Sequence, residues 1–355
     1  YLKVVAASGA ADIRGPSLFS FTYKAESETI DNFGGGTINY GLIEIKGDKG
    51  AFQLHNLAVE AWQYLASKGS IVPQETVHWP SDAWSNHSWT GIYLYKDHTW
   101  DESVFMHEYG HHVMQNLASS PTPDYNNGIC FNNTSGKDSH CSWEPEKGYI
   151  AWTEGFPEFL SQVLTTTYGH DNNNNFECHF YDSIYISQED YIEGFVAAIL
   201  WDIYDSVDDD QHSASNTCNN NSCTCFCKYP PCPPCTNIDS GPGRRDNMSE
   251  GFDSIWTVLL NYLPRNFEPP FDSNNHILTI HEFWDGMNYY YGDLINKVSE
   301  VYREHHIIKP QPDFVILSVD TYPATPFVGE EVTVTVTFKN QGNHFAEGPV
   351  DVQIY

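Results

Sequence analysis

Residues 104–118 read VFMHEYGHHVMQNLA, and this stretch governs the interpretation of the rest of the chain. His107 and His111 are four residues apart, so on a helix both imidazoles lie on one face and reach a single metal ion. Glu108 points to the side of that pair, where its carboxylate reaches a water at the metal without binding the metal itself. The apolar flanks predict a largely buried helix, and two buried imidazoles beside a carboxylate need polar partners. The stretch therefore predicts a metal site rather than a solvated polar helix face.

A catalytic zinc needs three protein ligands and one open position, so the third ligand has to come from another element. Leu117 stands where the longer motif HExxHxxGxxH would have its third histidine. The best candidate is Glu154 in WTEGFPEF (152–159), on the next apolar helix and 43 residues after His111. Glu158 lies one turn later on the same face and is predicted to accept a hydrogen bond from a ligand histidine. The alternative is that both acids are ordinary surface residues.

HEYGHHV followed by WTEGFPEFL resembles the gluzincin metallopeptidases, the thermolysin-like superfamily. The resemblance covers roughly residues 46–310 and includes EGFVAAILWDIYD, which resembles a helix of fungalysin-type members. It implies an α+β fold, with an N-terminal mixed sheet, the motif helix and a mainly helical C-terminal part. It also implies one catalytic zinc ion held by His107, His111 and Glu154. The expected activity is hydrolysis of peptide bonds in a polypeptide substrate, with Glu108 as general base.

The same resemblance implies an edge strand, upstream of the motif helix, that binds the substrate backbone by β-addition. Residues 81–89 are the expected location, with Ser85 and Asn86 as substrate-binding residues and GIYLYKD (91–97) as the neighbouring inner strand. The superfamily also has a residue that stabilises the oxyanion, and Tyr191 is the preferred catalytic candidate for that role. The other candidates are Tyr149, His179 and His212. The loop between the second histidine and the ligand glutamate is longer than in thermolysin.

Hydrophobic periodicity divides the chain into a β-rich start, a helical middle and a β-rich end. Residues 1–45 are predicted to be β-rich, because apolar and polar residues alternate in LFSFTYKAE (18–26). Residues 46–310 are predicted to be the metallopeptidase domain, with a Cys-rich insertion at 208–250. The predicted helices are residues 51–68, 101–118, 148–164, 190–207, 250–263 and 280–307. Residues 313–355 alternate as strands and resemble the start of an immunoglobulin-like CARDB domain, which implies a partial β-sandwich and tethering to a cell surface.

The composition excludes several classes of protein. The chain of 355 residues has 17 Lys and Arg against 47 Asp and Glu, a net charge of −30 that repels nucleic acid. Its 40% of hydrophobic residues excludes full-length disorder. No stretch reaches the roughly 18 apolar residues that cross a membrane. The first residues, YLKVVAASGA, lack the features of a signal peptide, and we interpret the sequence as a fragment or a mature form.

Nine cysteines favour an oxidising location, so the protein is predicted to be secreted or bound to the cell surface. Six of them lie between Cys218 and Cys235, where disulfides are favoured over a thiolate metal site. Cys130 and Cys141 flank a polar loop that a local disulfide would close. Glycosylation sequons agree with an extracellular surface and occur at Asn86, Asn132, Asn133, Asn220 and Asn247.

Acidic residues at the end of the predicted helix 190–207 suggest a second ion. Asp202, Asp205 and Asp208 form a candidate calcium site, because Ca²⁺ binds clusters of carboxylate oxygens. A solvated acidic helix end is the favoured alternative. His112, which directly follows the motif, is expected to be structural or exposed.

Two other functions remain open at this point. The first is a non-catalytic surface adhesion or binding protein with a structural zinc site, which the incomplete β domain suggests. Glu108 argues against it, because a structural zinc has no need of a carboxylate there. The second is an aminopeptidase of the same superfamily, which would need acids that bind a free amino terminus. No motif of that kind is present, so an endopeptidase is preferred.

Overall fold

A computed structural model describes the parts of the chain that carry the metal motif and its surroundings. The described residues are 3–26, 48–82, 84–117, 148–170, 192–204, 251–263, 279–304, 307, 314–322 and 332–340. The chain divides into two compact units, Tyr1–Ile307 and Ile308–Tyr355. The division falls close to the predicted boundary between residues 46–310 and residues 313–355. The predicted β-rich start and the metallopeptidase domain lie together in the first unit.

The first unit combines strands and helices, as predicted for an α+β protein. Its described strands are β1 (Lys3–Val5), β2 (Ala11–Arg14), β3 (Lys24–Glu26), β4 (Glu75–Ser81), β5 (Asn86–Ser88) and β6 (Gly91–Tyr95). Its described helices are α1 (Lys49–Ser67), α2 (Glu102–Leu117), α3 (Gly148–Tyr168), α4 (Glu193–Tyr204), α5 (Gly251–Thr257), α6 (Ile280–Tyr290) and α7 (Ile295–Glu304). A π-helical turn, Val258–Tyr262, continues α5.

The main sheet has the strand order β2–β4–β6–β5. Strands β2, β4 and β6 are parallel, whereas β5 runs antiparallel to β6, with Asn86 opposite Tyr93 and Ser88 opposite Gly91. Within the described residues, strand β5 therefore lies at an edge of the sheet with β6 as its inner neighbour, as predicted for residues 81–89. The chain turns from β5 into β6 at Gly91, which has a φ of 128° and leaves no room for a Cβ beside the carbonyl of Thr76.

The apolar stripe of α1 packs on the sheet and on the motif helix α2. Its buried residues follow helical spacing and include Leu54, Leu57, Ala58, Ala61 and Leu65. The helix ends where predicted, because Gly69 adopts a φ of 82° and its N–H binds the carbonyl of Ala66. Helix α2 is buried along most of its length, so the sheet and α1 cover one side of the motif.

Helices α2, α3 and α4 approach one another closely at two glycines. A Cβ on Gly110 of α2 would lie 2.7 Å from the Cα of Pro157 in α3. A Cβ on Gly155 of α3 would lie 2.7 Å from the carbonyl oxygen of Glu193 in α4. Because backbone atoms occupy these positions, larger residues would separate the helices. Gly110 thus fixes the distance of α3 from the motif helix, and Gly155 fixes the distance of α3 from α4.

Two predicted elements are shorter than expected. The helix predicted over 280–307 is broken between α6 and α7, where Leu294 N–H binds the carbonyl of Tyr291 in a turn around Gly292. The alternating stretch 18–26 contributes only strand β3. The residues before β3 form a turn, in which the Ser20 N–H donates to the Ser17 carbonyl. Phe19 and Phe21 in that stretch are 92% and 93% exposed and pack in no sheet.

The second unit contains β7 (Phe314–Tyr322) and β8 (Thr333–Asn340), which pair antiparallel from Phe314 opposite Asn340 to Tyr322 opposite Thr333. The strand predicted at 350–355 lies outside the described residues, and the resemblance to a CARDB domain stays a prediction. All nine cysteines and the Cys-rich insertion also lie outside the described residues. None of the helices in the described part of the chain combines the length and apolarity that crossing a bilayer requires.

Candidate metal centre

The two histidines of the motif converge on one point beside α2. The Nε2 atoms of His107 and His111 are 3.1 Å apart, and their rings meet edge to face with centroids 4.8 Å apart. Both residues are buried, with 9% and 8% of their surface exposed. Spacing of four residues on a helix produces this geometry, as the sequence predicts.

Glu154 completes the cluster from α3. Its Oε2 lies 3.2 Å from the Nε2 atoms of both His107 and His111, and the residue is fully buried. The close approach at Gly110 and Pro157 places this part of α3 against the motif, so the glycine inside HEYGH helps to position the third ligand. His107, His111 and Glu154 are hereafter called the first centre.

Glu158, one turn after Glu154, lies on the other side of His107. Its Oε1 is 3.3 Å from Nδ1 of His107, while Nε2 of the same ring points at Glu154. Burial lowers the pKa of His107, but the charges of Glu158 and Glu154 and hydrogen bonds to them raise it more, so its pKa lies well above the ordinary value. Electrostatics that hold a proton this strongly also attract a metal cation.

The first centre fits a zinc ion. A tetrahedral zinc with bonds of about 2.0–2.1 Å puts its ligand atoms about 3.3 Å apart, close to the separations of 3.1 and 3.2 Å in the first centre. Nitrogen and oxygen ligand atoms facing one another in a buried site repel unless a proton or a metal cation lies among them. Three protein ligands with one open position are also typical of catalytic rather than structural zinc. His107, His111 and Glu154 would hold the ion.

Glu108 lies beside the first centre and has 7% of its surface exposed. Within the described residues its carboxylate has no hydrogen-bond partner, unlike Glu154 and Glu158, which bind histidines. A carboxylate in this position is available to a water molecule or a substrate group. The general-base role stays a prediction.

Comparison with known protein families agrees with this geometry. Residues 60–239, half of the chain, match the family model of the mycolysin C-terminal domain. The chain belongs to the mycolysin family. The mycolysin family is one of thermolysin-like metallopeptidases, and the chain contains the cluster of metal-ligating side chains His107, His111 and Glu154. The predicted α+β fold and the resemblance to this superfamily are confirmed.

More distant comparisons add little. An uncharacterised protein of Archaeoglobus fulgidus is 28% identical to this mycolysin-family chain over 144 residues. The match covers 40% of this chain and 39% of the relative, so the chain spans about two fifths of the relative's length. No solved structure matches.

The expected substrate-binding residues lie on or beside the edge strand of the mycolysin-family sheet. The Ser85 hydroxyl accepts a hydrogen bond from the N–H of Tyr95 at 3.0 Å and lies 2.9 Å from Nδ1 of His98. Its side chain therefore joins β5 to the end of β6. Asn86 is exposed at the start of β5. Their contact with substrate stays a prediction.

The oxyanion-stabilising residue is not placed by the structure. The preferred candidate Tyr191 lies outside the described residues, as do His179 and His212. Tyr149 lies in the first turn of α3, and the Thr153 hydroxyl donates to its carbonyl at 2.8 Å. The role remains unassigned among these four residues.

The candidate calcium ligands are only partly described. Asp202 is 3% exposed within α4, so it belongs to the core and not to a solvated helix end. Asp205 and Asp208 lie outside the described residues. The calcium site therefore stays a prediction.

A second group of metal-ligating side chains lies beside the first centre and is absent from the sequence analysis. It consists of Glu75 in β4, His87 in β5 and His112 in α2, whose ligand atoms lie within 4.8 Å of one another. His112, expected to be structural or exposed, is 3% exposed. The signal in the sequence is weak, because the three residues lie far apart in the chain. They are hereafter called the second cluster.

Proposed function

We propose that this mycolysin-family chain is a zinc-dependent endopeptidase that binds an extended polypeptide along β5 and works outside the cell. The observation that supports the proposal is the position of β5, the edge strand of the described sheet, beside the first centre. The ring of His87, in the middle of β5, lies 6.3 Å from the ring of His111 and nearly parallel to it. A peptide paired with β5 therefore passes next to the metal ligands.

Zinc held by the first centre would act as a Lewis acid toward the peptide carbonyl and lower the pKa of a water molecule toward about 7. The protein residues supply the rest. Glu108 takes one proton from the attacking water while the water oxygen bonds to the carbonyl carbon. The same carboxylic acid then gives that proton to the nitrogen of the leaving amine as the C–N bond breaks. Glu158, whose Oε1 lies 3.3 Å from Nδ1 of His107, would hold that ring in position.

Substrate alignment in this proposal depends on the backbone of β5. An edge strand presents unpaired N–H and C=O groups, and an extended peptide adds to it as a further strand. Main-chain pairing requires no particular side chain, which supports an endopeptidase with broad sequence preference. An aminopeptidase would instead need an acid that fixes the substrate's free amino group.

The test of the catalytic proposal is Glu108→Gln, with Glu102→Gln in the first turn of the same helix as matched control. We expect Glu108→Gln to cleave casein 10²- to 10⁴-fold more slowly, as roughly expected for loss of a general base, while its bound zinc is unchanged. Glu102→Gln should cleave at the wild-type rate. Peptides with a blocked amino terminus should be cleaved internally, and exclusive release of amino-terminal residues would overturn the endopeptidase assignment. Wild-type cleavage by Glu108→Gln would refute the mechanism.

The extracellular location is supported by the nine cysteines and by the strongly acidic composition. In an oxidising compartment the cysteines pair, and an odd number leaves at least one thiol without an intrachain partner. We expect thiol titration of the unfolded, unreduced chain to find one free thiol of the nine. Nine free thiols in protein made in an oxidising compartment would contradict the proposed location.

A further inference from the structure

We propose that Glu75, His87 and His112 form a second metal site, which takes a divalent first-row transition metal such as zinc. The three residues come from three different elements, namely the inner strand β4, the edge strand β5 and the motif helix α2. None of them belongs to the first centre.

The second cluster is as well buried as the first. The side chains of Glu75, His87 and His112 are 9%, 2% and 4% exposed. Oε2 of Glu75 lies 3.3 Å from Nε2 of His87 and directly contacts Nδ1 of His112. The separation from His87 is close to the ligand spacing of about 3.3 Å around tetrahedral zinc.

The hydrogen bonds of His112 determine where its ring carries a proton. Nε2 lies 2.9 Å from the carbonyl oxygen of Pro73, which only accepts, so Nε2 is protonated. The Asn116 amide nitrogen donates to the His112 carbonyl and also lies 3.1 Å from Nδ1. With Nε2 protonated, Nδ1 faces the Glu75 carboxylate either through a second proton or, in the neutral ring, with its lone pair. A metal cation would take the place of that proton. A ligand histidine that donates its other N–H to a backbone carbonyl is the usual arrangement around metals.

His87 has no other polar role among the described residues. Its Nε2 faces Glu75, and its buried Nδ1 has no hydrogen-bond partner in the described part of the chain. Burying an imidazole with so few hydrogen bonds is costly unless a strong interaction offsets the cost. A bond from Nε2 to a metal ion is such an interaction.

Glu75 supplies the charge that a divalent cation needs. Its Oε2 faces the imidazoles of both His87 and His112. Its Oε1 also accepts from the N–H of Thr76 at 2.6 Å, so the carboxylate is fixed in place. Two imidazoles and one carboxylate favour zinc-like metals over Ca²⁺ or Mg²⁺, which prefer oxygen ligands alone.

A metal in the second cluster would join the substrate strand to the motif helix. His87 lies on β5, and His112 directly follows the first-centre ligand His111. The ion would therefore fix the distance between the edge strand and the first centre, in addition to the hydrogen bonds between β5 and β6.

The experiment counts bound zinc per folded chain after loosely bound metal has been removed with a chelating resin, with Zn²⁺ as the only added metal. We expect two ions in the wild type and one in Glu75→Gln and in His87→Gln. We also expect one ion in Glu154→Gln, which disrupts the first centre alone. The matched control is His170→Gln, because His170 pairs with Glu60 at 2.7 Å, belongs to neither group of metal-ligating residues and should leave two ions bound. Circular dichroism establishes that each variant is folded.

The proposal is overturned if the wild type binds one ion that Glu75→Gln and His87→Gln retain and Glu154→Gln loses. The second cluster would then be a hydrogen-bonded group that shares a proton. Two ions in every second-cluster variant would also overturn it, because the additional ion would lie elsewhere. His87→Gln is the decisive variant if Glu75→Gln does not fold, since His87 lies on an edge strand. The zinc count does not depend on whether the chain cleaves peptides.

Discussion

The first centre and the second cluster contain the same residue types, two histidines and a glutamate, yet they are built in different ways. The first centre takes both histidines from one helix at a spacing of four residues and its glutamate from the adjacent helix α3. The second cluster takes each residue from a different element, two of them strands. A metal site within a helix pair leaves a pattern in the sequence, whereas a site assembled across a sheet leaves almost none.

The strongest test of this comparison uses the neighbouring histidines of α2. His111→Ala removes a ligand of the first centre, so we expect proteolysis to fall at least about 10³-fold and one zinc to be lost. His112→Ala should lose the other zinc and reduce cleavage far less, because the first centre stays complete. Rates on casein and zinc content of the two variants provide the measurement. Equal losses of activity in His111→Ala and His112→Ala would show that both sites are needed for cleavage.

The contact between α2 and α3 at Gly110 provides a second way to distinguish the first centre from the second cluster. Gly110→Ala adds a Cβ 2.7 Å from the Cα of Pro157, so α2 and α3 must move apart. We expect the free energy of unfolding to fall by about 1–3 kcal/mol and the first-centre zinc to bind more weakly. The second cluster, which receives no residue from α3, should keep its ion. Urea denaturation and zinc titration are the measurements, and Gly9→Ala, which adds a Cβ in open space, is the control.

The smallest expected effect concerns the residue that orients a ligand. Glu158→Gln leaves His107 in place but removes the charge 3.3 Å from its Nδ1. We expect zinc affinity of the first centre to decrease about 10- to 100-fold, with the second ion unaffected. Competition with a chelator of known affinity measures the change. Unchanged zinc affinity would mean that Glu158 is not needed to orient His107. The control is Glu60→Gln, which removes a carboxylate that pairs with a histidine outside both groups of metal-ligating residues.

The sequence predicts the first centre because its determinants are local. The spacing of His107 and His111 defines a helix face, and Glu154 lies on the next apolar helix. The edge strand at 81–89 is likewise predicted, although through family resemblance rather than from its own pattern. In these regions the residue pattern and the tertiary structure agree.

The second cluster could not be predicted, and β4 shows why. This inner parallel strand is expected to be a continuous apolar run, yet its sequence ETVHWPS contains a glutamate, a histidine and a proline. Glu75 is tolerated there because His87 and His112 contact its Oε2, in addition to the Thr76 N–H on its Oε1, and the contacts with the histidines depend on the packing of α2 and β5 against β4. The broken helix at Gly292 was missed for the opposite reason, since the apolar pattern continues across a turn.

The contact between Gly110 and Pro157 also bears on how far apart in sequence the ligands are free to lie. Packing between α2 and α3 sets the position of Glu154 relative to the two histidines. The length of the connecting chain, 42 residues between His111 and Glu154, therefore does not determine that position. Closing a longer loop costs only about 0.6 kcal/mol for each doubling of its length. Insertions there are therefore compatible with an intact centre. Relatives of this protein are better recognised by a glycine inside the histidine motif and a proline three residues after the glutamate than by any fixed spacing between the two.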